Sequence, residues 1–245
     1  MRYLVLSDIH GNIEALRATM AFIRRKKYSG VLFLGDLVGY GAAPNQVVDT
    51  FKRMRGLVSV RGNHDKVCSG IEEGYNFNDK AKIAADWTFE KLSMDNLKFI
   101  REMPRGPVRV NEKILLSHGS PANEDYYLFS EFDAFQVFNR FSTHMMFFGH
   151  THVPCIFDFD GTTIHFRRLL DRDVVQLDSN HRYLINPGSV GQPRDRDYRA
   201  SFLIMDSDTG KLYYYRVHYN VEAAQNRILA EGLPYHLAAR LSFGV

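Results

Sequence analysis

Five short runs of the sequence place aspartate, asparagine or histidine directly after an apolar stretch that is typical of a β-strand. These runs cover residues 7–12, 34–37, 62–65, 116–119 and 148–152. Ligands bind to open α/β sheets at the carboxyl ends of the strands. We therefore expect the polar side chains to meet at one edge of a sheet, where carboxylates and imidazoles could hold metal ions.

The spacing inside two of these runs favours metal binding. Asp8 and His10 are two residues apart, as are His150 and His152, so each pair can point to one side of a strand end. Carboxylates combined with neutral imidazoles suit Mn, Fe, Zn, Co or Ni better than Ca or Mg. Asp36 has two carboxylate oxygens and could bridge two ions. With an amide and a further imidazole, the candidate ligands are Asp8, His10, Asp36, Asn63, His118, His150 and His152.

A pair of ions is suited to the hydrolysis of phosphoesters. Two ions roughly 3.5–4 Å apart clamp a phosphoryl group and activate a bridging water for in-line attack on phosphorus. His64 follows Asn63 and could protonate the leaving group, and Asp65 could orient His64 or raise its pKa. Arg194 would either clamp a phosphate in bidentate fashion or form a surface ion pair. Tyr40 would either shape the rim of the site or pack in the core.

The motifs, taken in order, resemble those of the calcineurin-like metallophosphoesterase superfamily. The run at 186–191 also resembles a motif of its small bacterial and archaeal phosphodiesterase branch. The resemblance implies a first ion held by Asp8, His10, Asp36 and His152, and a second held by Asp36, Asn63, His118 and His150. It also implies that Asp36 bridges the ions, that Asn63 lies at the substrate phosphate, and that His64 contacts the phosphate and protonates the leaving group.

The elements that would position these residues change character along the chain. Strands at 3–6, 31–34 and 57–60 alternate with helices, which predicts parallel strands with right-handed crossovers. From residue 107 the pattern predicts hairpins, including 156–159 with 163–166, 174–177 with 183–185, and 202–205 with 212–217. We expect an α/β (α+β) fold in which two mixed β-sheets pack as a sandwich flanked by helices.

The chain should form a single domain over residues 1–245. Two amphipathic helices, at 78–92 and 94–103, directly follow the run at 62–65. We interpret the segment 70–103 as a helical lid beside the site.

Composition restricts the setting and the partners. Lys and Arg total 31 and Asp and Glu total 28, a net charge of +3, which gives no support for binding nucleic acid. The two cysteines, Cys68 and Cys155, form no CxxC pair, and no apolar stretch is long enough for a membrane span. We expect a cytoplasmic protein without a membrane partner, and the C-terminal helices and exposed aromatic residues could form a homo-oligomer interface.

Several functions fit these residues. The leading hypothesis is a phosphodiesterase with two divalent transition-metal ions, Mn foremost, that acts on a small-molecule or nucleotide phosphoester such as a diadenosine tetraphosphate-like dinucleotide. Alternatives are a protein Ser/Thr phosphatase, a nuclease, and a non-catalytic metal-binding scaffold on the same fold. Relatives of the scaffold type typically lack a histidine after the Gly-Asn pair, whereas this chain has His64.

Overall fold

The computed structural model describes all 245 residues. The strands are β1 (Arg2–Leu6), β2 (Gly30–Phe33), β3 (Leu57–Ser59), β4 (Val108–Asn111), β5 (Ile114–Leu116), β6 (Met145–Phe147), β7 (Cys155–Phe159), β8 (Ile164–Arg168), β9 (Val174–Gln176), β10 (Arg182–Asn186), β11 (Ala200–Asp206) and β12 (Lys211–Val217). The α-helices are α1 (Ile13–Ile23), α2 (Pro44–Lys52), α3 (Asn63–Cys68), α4 (Asp79–Lys91), α5 (Met94–Arg101), α6 (Glu131–Arg140), α7 (Val221–Ala230) and α8 (Tyr235–Ala239); a 3₁₀ turn, Arg240–Ser242, follows α8.

The strands form two mixed sheets of six strands each. The first sheet has the order β3-β2-β1-β11-β12-β9, with β1, β2 and β3 parallel and the other strands antiparallel to their neighbours. The second has the order β4-β5-β6-β10-β7-β8, with β5, β6 and β10 parallel at its centre. This confirms the predicted α/β fold with two mixed sheets and flanking helices.

Alternation along the strands explains why the sheets stack. In β1, Leu4 and Leu6 belong to the hydrophobic cluster shared with helices such as α1 and α2, whereas Val5 belongs to the cluster between the sheets. A third cluster joins the outer face of the second sheet to α6. Because successive side chains of a strand point to opposite faces, strands that are apolar throughout must be covered on both sides. The result is a helix–sheet–sheet–helix arrangement.

One predicted hairpin is wrong. The segments 174–177 and 183–185 do not pair with each other, because β9 pairs with β12 in the first sheet and β10 lies between β6 and β7 in the second. The chain therefore crosses from one sheet to the other between these strands. β10 has five ladder partners on β7 and three on β6, so its place is fixed by long-range pairing rather than by the preceding turn.

The segment interpreted as a lid contains the two expected helices, α4 and α5. Asn78 and Ser93 cap them, accepting hydrogen bonds from the backbone N–H groups of Ala81 and Asn96. Both helices pack against α2 and α3, and Ala84, Ala85, Leu97 and Ile100 are buried in the first hydrophobic cluster. None of the helices in the fold combines the length and the apolar character needed to cross a bilayer.

Candidate metal centre

The candidate ligands come from loops that follow strands of both sheets. β1, β2 and β3 of the first sheet lead to Asp8 and His10, to Asp36, and to Asn63; β5 and β6 of the second lead to His118 and to His150 and His152. Two groups of ligand atoms result, one from Asp8, His10, Asp36 and His152 and the other from Asp36, His118 and His150, with the atoms of each group within 4.8 Å of one another. Asp36 belongs to both groups. Asn63 joins the second, since its Oδ1 lies 3.1 Å from His118 Nε2.

The backbone at these loops is held in an unusual conformation. Only eight non-glycine residues have a positive φ, and five of them are Asp8, His10, Asp36, His150 and His152, with φ between 48° and 65°. For L-residues other than glycine this region costs roughly 1–2 kcal/mol each. Such strain clusters where the surrounding structure must aim particular side chains. The local conformation therefore turns these side chains inward at a cost to stability.

Three imidazoles have their tautomers fixed by backbone carbonyls. Nδ1 of His10 lies 3.2 Å from the carbonyl oxygen of Val38, Nδ1 of His118 lies 2.7 Å from that of Leu34, and Nδ1 of His152 lies 2.5 Å from that of Gln192. A carbonyl oxygen only accepts, so each Nδ1 must carry the proton. In the neutral ring, the Nε2 atom is then left with a free lone pair.

These lone pairs converge on one another and on carboxylate oxygens. Nε2 of His10 lies 3.1 Å from Nε2 of His152 and 3.5 Å from Oδ2 of Asp36. Nε2 of His118 lies 3.4 Å from the same Asp36 oxygen, and Oδ2 of Asp8 is buried without a hydrogen-bond partner. Electron pairs packed this closely repel unless a proton or a metal ion lies among them. The donor set therefore fits metal ions.

His150 differs from these three histidines, because Nδ1 and not Nε2 is its free ring nitrogen. Its Nε2 lies 3.1 Å from the carbonyl oxygen of Asp125, which leaves Nδ1 free for a metal. Its ring stacks on Tyr127, with the ring centroids 3.7 Å apart. The stacking and the hydrogen bond together fix the orientation of this ring.

The pKa directions agree with a site that attracts positive charge. Burial lowers the pKa of His10 and His152, and lowers that of His150 to about 3, which keeps these rings in the neutral form that binds metals. For His118, burial favours the neutral ring, but the charges of Asp36 and Asp8 outweigh it and raise its pKa to about 10. The carboxylates thus draw a positive charge to this point.

The first turn of α3, which carries Asn63 and His64, is hydrogen-bonded to Asp36. Oδ1 of Asp36 accepts a hydrogen bond of 2.9 Å from the backbone N–H of His64. The Asp65 carboxylate accepts from the backbone N–H groups of Gly62, Asp36, Leu37 and Val38 at 2.8–3.2 Å. Asp65 therefore ties the loops after β2 and β3 together through the backbone, and does not hydrogen-bond to the His64 ring.

His64 lies beside the ligand groups. Its ring centroid is 4.9 Å from that of His10, 4.3 Å from Tyr40 and 4.5 Å from Phe77, and its Nδ1 is buried without a partner. Burial lowers the pKa of His64 to about 4. Tyr40 is itself nearly buried and packs against both His10 and His64, so it is a packing residue that also lies at the edge of the site.

Two guanidinium groups approach the same tyrosine. The Cζ atoms of Arg194 and Arg240 each lie 5.9 Å from the Tyr40 ring centroid. Arg194 donates to Oε1 of Gln192 at 3.0 Å, its Nε is buried without a partner, and it forms no ion pair with a carboxylate. Burial lowers the pKa of Arg240 to about 10. The site therefore has two cationic side chains on one side.

Sequence reasoning did not assign roles to Arg240, Asn186 or Ser189. Arg240 follows α8, in a part of the chain without any motif. Asn186 Nδ2 donates to the carbonyl oxygen of Gly149 at 2.8 Å, and Ser189 Oγ donates to that of Asp8, also at 2.8 Å. The run at 186–191 thus joins the loops after β1 and β6. Its resemblance to a known motif was the sequence feature from which a role beside these loops could have been predicted.

Comparisons with known proteins show the family to which the chain belongs. Residues 1–210 match the model of the calcineurin-like phosphoesterase superfamily domain. The uncharacterized protein MJ0912 of Methanocaldococcus jannaschii is 38% identical over 245 residues, which cover 98% of this chain and 97% of that protein. The crystal structure of a metallophosphoesterase from Sphaerobacter thermophilus is 35% identical with a TM-score of 0.89, covering 100% of this chain and 99% of the other.

A third comparison supports the fold alone. The hypothetical protein PH1004 from Pyrococcus horikoshii is 21% identical, with a TM-score of 0.81 over 100% of this chain and 98% of that chain. With the family match and the candidate metal centre, these findings place the chain in the calcineurin-like phosphoesterase superfamily. It is a phosphoester hydrolase of a family that uses divalent metal ions.

Proposed function

We propose that the protein is a phosphodiesterase with two divalent metal ions, Mn²⁺ foremost, that acts on a small-molecule or nucleotide phosphoester in the cytoplasm. The observation that carries this proposal is the pair of ligand groups sharing Asp36, with the His64 ring 4.9 Å from that of His10. Both cysteines are buried free thiols, which agrees with a reducing compartment.

In this proposal each residue has one role. Asp8, His10, Asp36 and His152 would hold one ion, and Asp36, Asn63, His118 and His150 would hold the other. When bound, such ions supply charge stabilisation for the phosphoryl group and lower the pKa of water. The backbone carbonyls that fix the histidine tautomers keep the ligand nitrogens aimed at the ions.

His64 would protonate the leaving oxygen. Its low pKa of about 4 in the free site reflects mainly burial, and an anionic phosphoester beside the ring would favour the protonated form. The packing of Tyr40 and Phe77 against the ring limits its rotation. The acid would therefore already be in place when the P–O bond breaks.

Arg194 would bind the non-bridging oxygens of the phosphate together with the Asn63 amide. Its buried Nε has no partner within the protein, and an unpaired guanidinium donor is well suited to an anionic oxygen. A diester also needs room on both sides of phosphorus. A cavity of about 560 Å³ extends from Asn63, His64 and His150 to residues 71–78, while Arg194 and Arg240 lie around Tyr40.

The alternatives have less support. A protein phosphatase needs an open groove for a polypeptide, whereas residues 71–78 wall this cavity. A non-catalytic scaffold would have no need of His64 beside a full set of seven ligands.

The test compares wild type with His64→Ala, each loaded with Mn²⁺, on two diesters. Bis(p-nitrophenyl) phosphate releases a good leaving group, whereas a dinucleoside monophosphate releases a poorly leaving alcohol that needs a proton. We expect the variant to keep its metals and to lose roughly 10²–10⁴-fold in kcat on the second substrate, with a smaller loss on the first. Equal losses on both substrates would show that His64 is not the acid. Loss of metal from the variant would show that His64 is a metal ligand. An exposed histidine variant, His165→Ala, controls for the substitution.

A further inference from the structure

The cavity beside His64 has a lining whose chemistry differs from that of the metal centre. We call it the 71–78 cavity, after the chain segment that forms its far wall; its lining includes Val67, Phe77, Ala81 and Tyr127. At about 560 Å³ it is within the range of small-molecule binding sites. Because His64, Asn63 and His150 also line it, a group bonded to the oxygen that His64 protonates would extend into it.

Aromatic and aliphatic side chains form much of the wall. Phe77 packs on His64, and the neighbouring Tyr75 is 90% exposed. Ile71 and Val67 add aliphatic surface, and the Asn76 amide lines the same wall. Aromatic side chains stack readily on planar rings. The lining is suited to a group that carries a ring and a few polar atoms.

The charges on the lining have a single sign. Glu72, Glu73 and Asp125 line the cavity, and neither Lys nor Arg does. Lys66, which lies behind the wall, pairs with Glu72 at 2.9 Å and with Asp125 at 2.7 Å. Glu73 forms no ion pair, so its charge is uncompensated. An anionic group placed here would be repelled, since like charges a few ångströms apart interact unfavourably even near water.

The opposite charge lies beside Tyr40. Arg194 and Arg240 approach that ring, and neither of them lines the cavity. Arg240 Nε donates to the backbone oxygen of Val245, and neither arginine forms an ion pair with an aspartate or glutamate side chain. A substrate would therefore bind with its anionic part toward these arginines and its uncharged part in the 71–78 cavity.

From this distribution, and resting on the proposed function, we infer that the 71–78 cavity receives the leaving group of the substrate. We further infer that it selects an uncharged, ring-bearing alcohol of the nucleoside type over a leaving group with further phosphates. In the reaction, the oxygen of water bonds to phosphorus and one proton of that water passes to solvent. The P–O bond to the leaving group breaks, and the leaving oxygen takes a proton from His64, which solvent protonates again. The alcohol departs uncharged from a cavity whose carboxylates would oppose a polyphosphate.

The test measures kcat/KM of the Mn²⁺-loaded full chain on a dinucleoside monophosphate and on diadenosine tetraphosphate, with AMP and ATP quantified as products of the latter. Cleavage of any phosphoanhydride bond in the tetraphosphate releases a leaving group that carries phosphate. Wild type should prefer the monophosphate. Glu73→Lys should shift the ratio of the two values by about 3- to 10-fold toward the tetraphosphate. Glu90→Lys, at an exposed acid outside the cavity, has the same change in net charge and should leave the ratio at its wild-type value.

Tyr75→Ala provides a second, uncharged test of the lining, because Tyr75 lines the cavity without contacting His64 or a candidate ligand. It should lower kcat/KM for the dinucleoside monophosphate about tenfold. Tyr235→Ala, at an exposed tyrosine outside the cavity, should change it by less than threefold.

Bis(p-nitrophenyl) phosphate hydrolysis separates the two ways of failing. Suppose that wild type hydrolyses it. The inference about the leaving group is then wrong if the ratio is the same in wild type, Glu73→Lys and Glu90→Lys, or if wild type prefers the tetraphosphate. In either case the phosphodiesterase proposal stands. If no diester is hydrolysed by the metal-loaded chain, both fail.

Discussion

Asp36 is the side chain on which both ligand groups depend. It is buried, its Oδ2 lies 3.4–3.5 Å from two histidine nitrogens, and its Oδ1 accepts from the first turn of α3. An amide in its place could keep the bond to α3, because Asn retains one acceptor oxygen. It would remove the negative charge that both groups share.

We therefore expect Asp36→Asn to fold but to lose metal from both positions. Bound Mn²⁺, measured by elemental analysis after desalting, should fall well below that of wild type. Diester hydrolysis should fall by more than the roughly 10–100-fold that loss of an outer partner of a ligand costs. Asp95→Asn, at an exposed position on α5, should retain both properties. Near-normal metal content and rate in Asp36→Asn would contradict the bridging role.

Single residues also show what sequence can and cannot predict. The seven candidate ligands were identifiable because each follows an apolar strand in a motif. Asp65 was expected at His64, but its partners are backbone amides of two loops, and such contacts leave no trace in side-chain spacing. Arg240 lies 200 positions from Tyr40, and only the packing of the C-terminal helices brings the two together.

At the level of elements, the loops after the strands position the site, and the run at 186–191 braces them. Asn186 donates to the carbonyl oxygen of Gly149 and to Thr151 Oγ1, and accepts from the backbone N–H of Gly188. Gly149 allows no side chain, because a Cβ atom there would overlap Ser7 Oγ and approach Asp8 Oδ2. Asn186 and Gly149 therefore both favour a close approach of the loops that follow β1 and β6.

Asn186→Ala should weaken this brace. It leaves the buried backbone N–H of Gly188 without a partner, and an unsatisfied group costs roughly 1–3 kcal/mol. It also removes one of the two hydrogen bonds to the Gly149 carbonyl oxygen, which keeps the one from Thr151 N–H. We expect a loss of about 2 kcal/mol or more in the free energy of unfolding, seen as a fall in Tm of several degrees, together with weaker metal binding. Asn180→Ala, at an exposed loop position, should change neither. An unchanged Tm in Asn186→Ala would show that the brace is dispensable.

The order of strands was harder to predict than their positions. The parallel β1–β2–β3 unit follows from alternating strands and helices, and the β7–β8 and β11–β12 hairpins follow from their turns. The hairpin expected between 174–177 and 183–185 failed because β9 and β10 join different sheets. Strand pairing across sheets depends on distant partners, which local sequence does not specify.

For the whole molecule, the candidate metal centre lies where loops from the two sheets meet. Its ligands follow three strands of one sheet and two of the other, so bound ions would link both halves of the sandwich. In the metal-free protein, a proton on His118 offsets only part of the repulsion among the clustered carboxylates and imidazoles. Metal binding should therefore raise the stability of the entire fold.

Removing the ions tests this coupling. Ligand binding to the folded state adds RT ln(1 + [L]/Kd), which is about 2.7 kcal/mol when the free ion is at 100 times its Kd. We expect chelation to lower Tm by several degrees and Mn²⁺ to restore it, and the Asp36→Asn variant to respond much less. A Tm that is the same with chelator and with Mn²⁺ would show that the sandwich does not depend on the ions.

The most direct test of the central claim is a titration of the metal-free chain with Mn²⁺, at a protein concentration far above Kd, while bis(p-nitrophenyl) phosphate hydrolysis is measured. The shared Asp36 and the two ligand groups predict that the rate rises to a plateau at two ions per chain. A plateau at one ion, or no hydrolysis at any ratio, would contradict a two-metal phosphodiesterase.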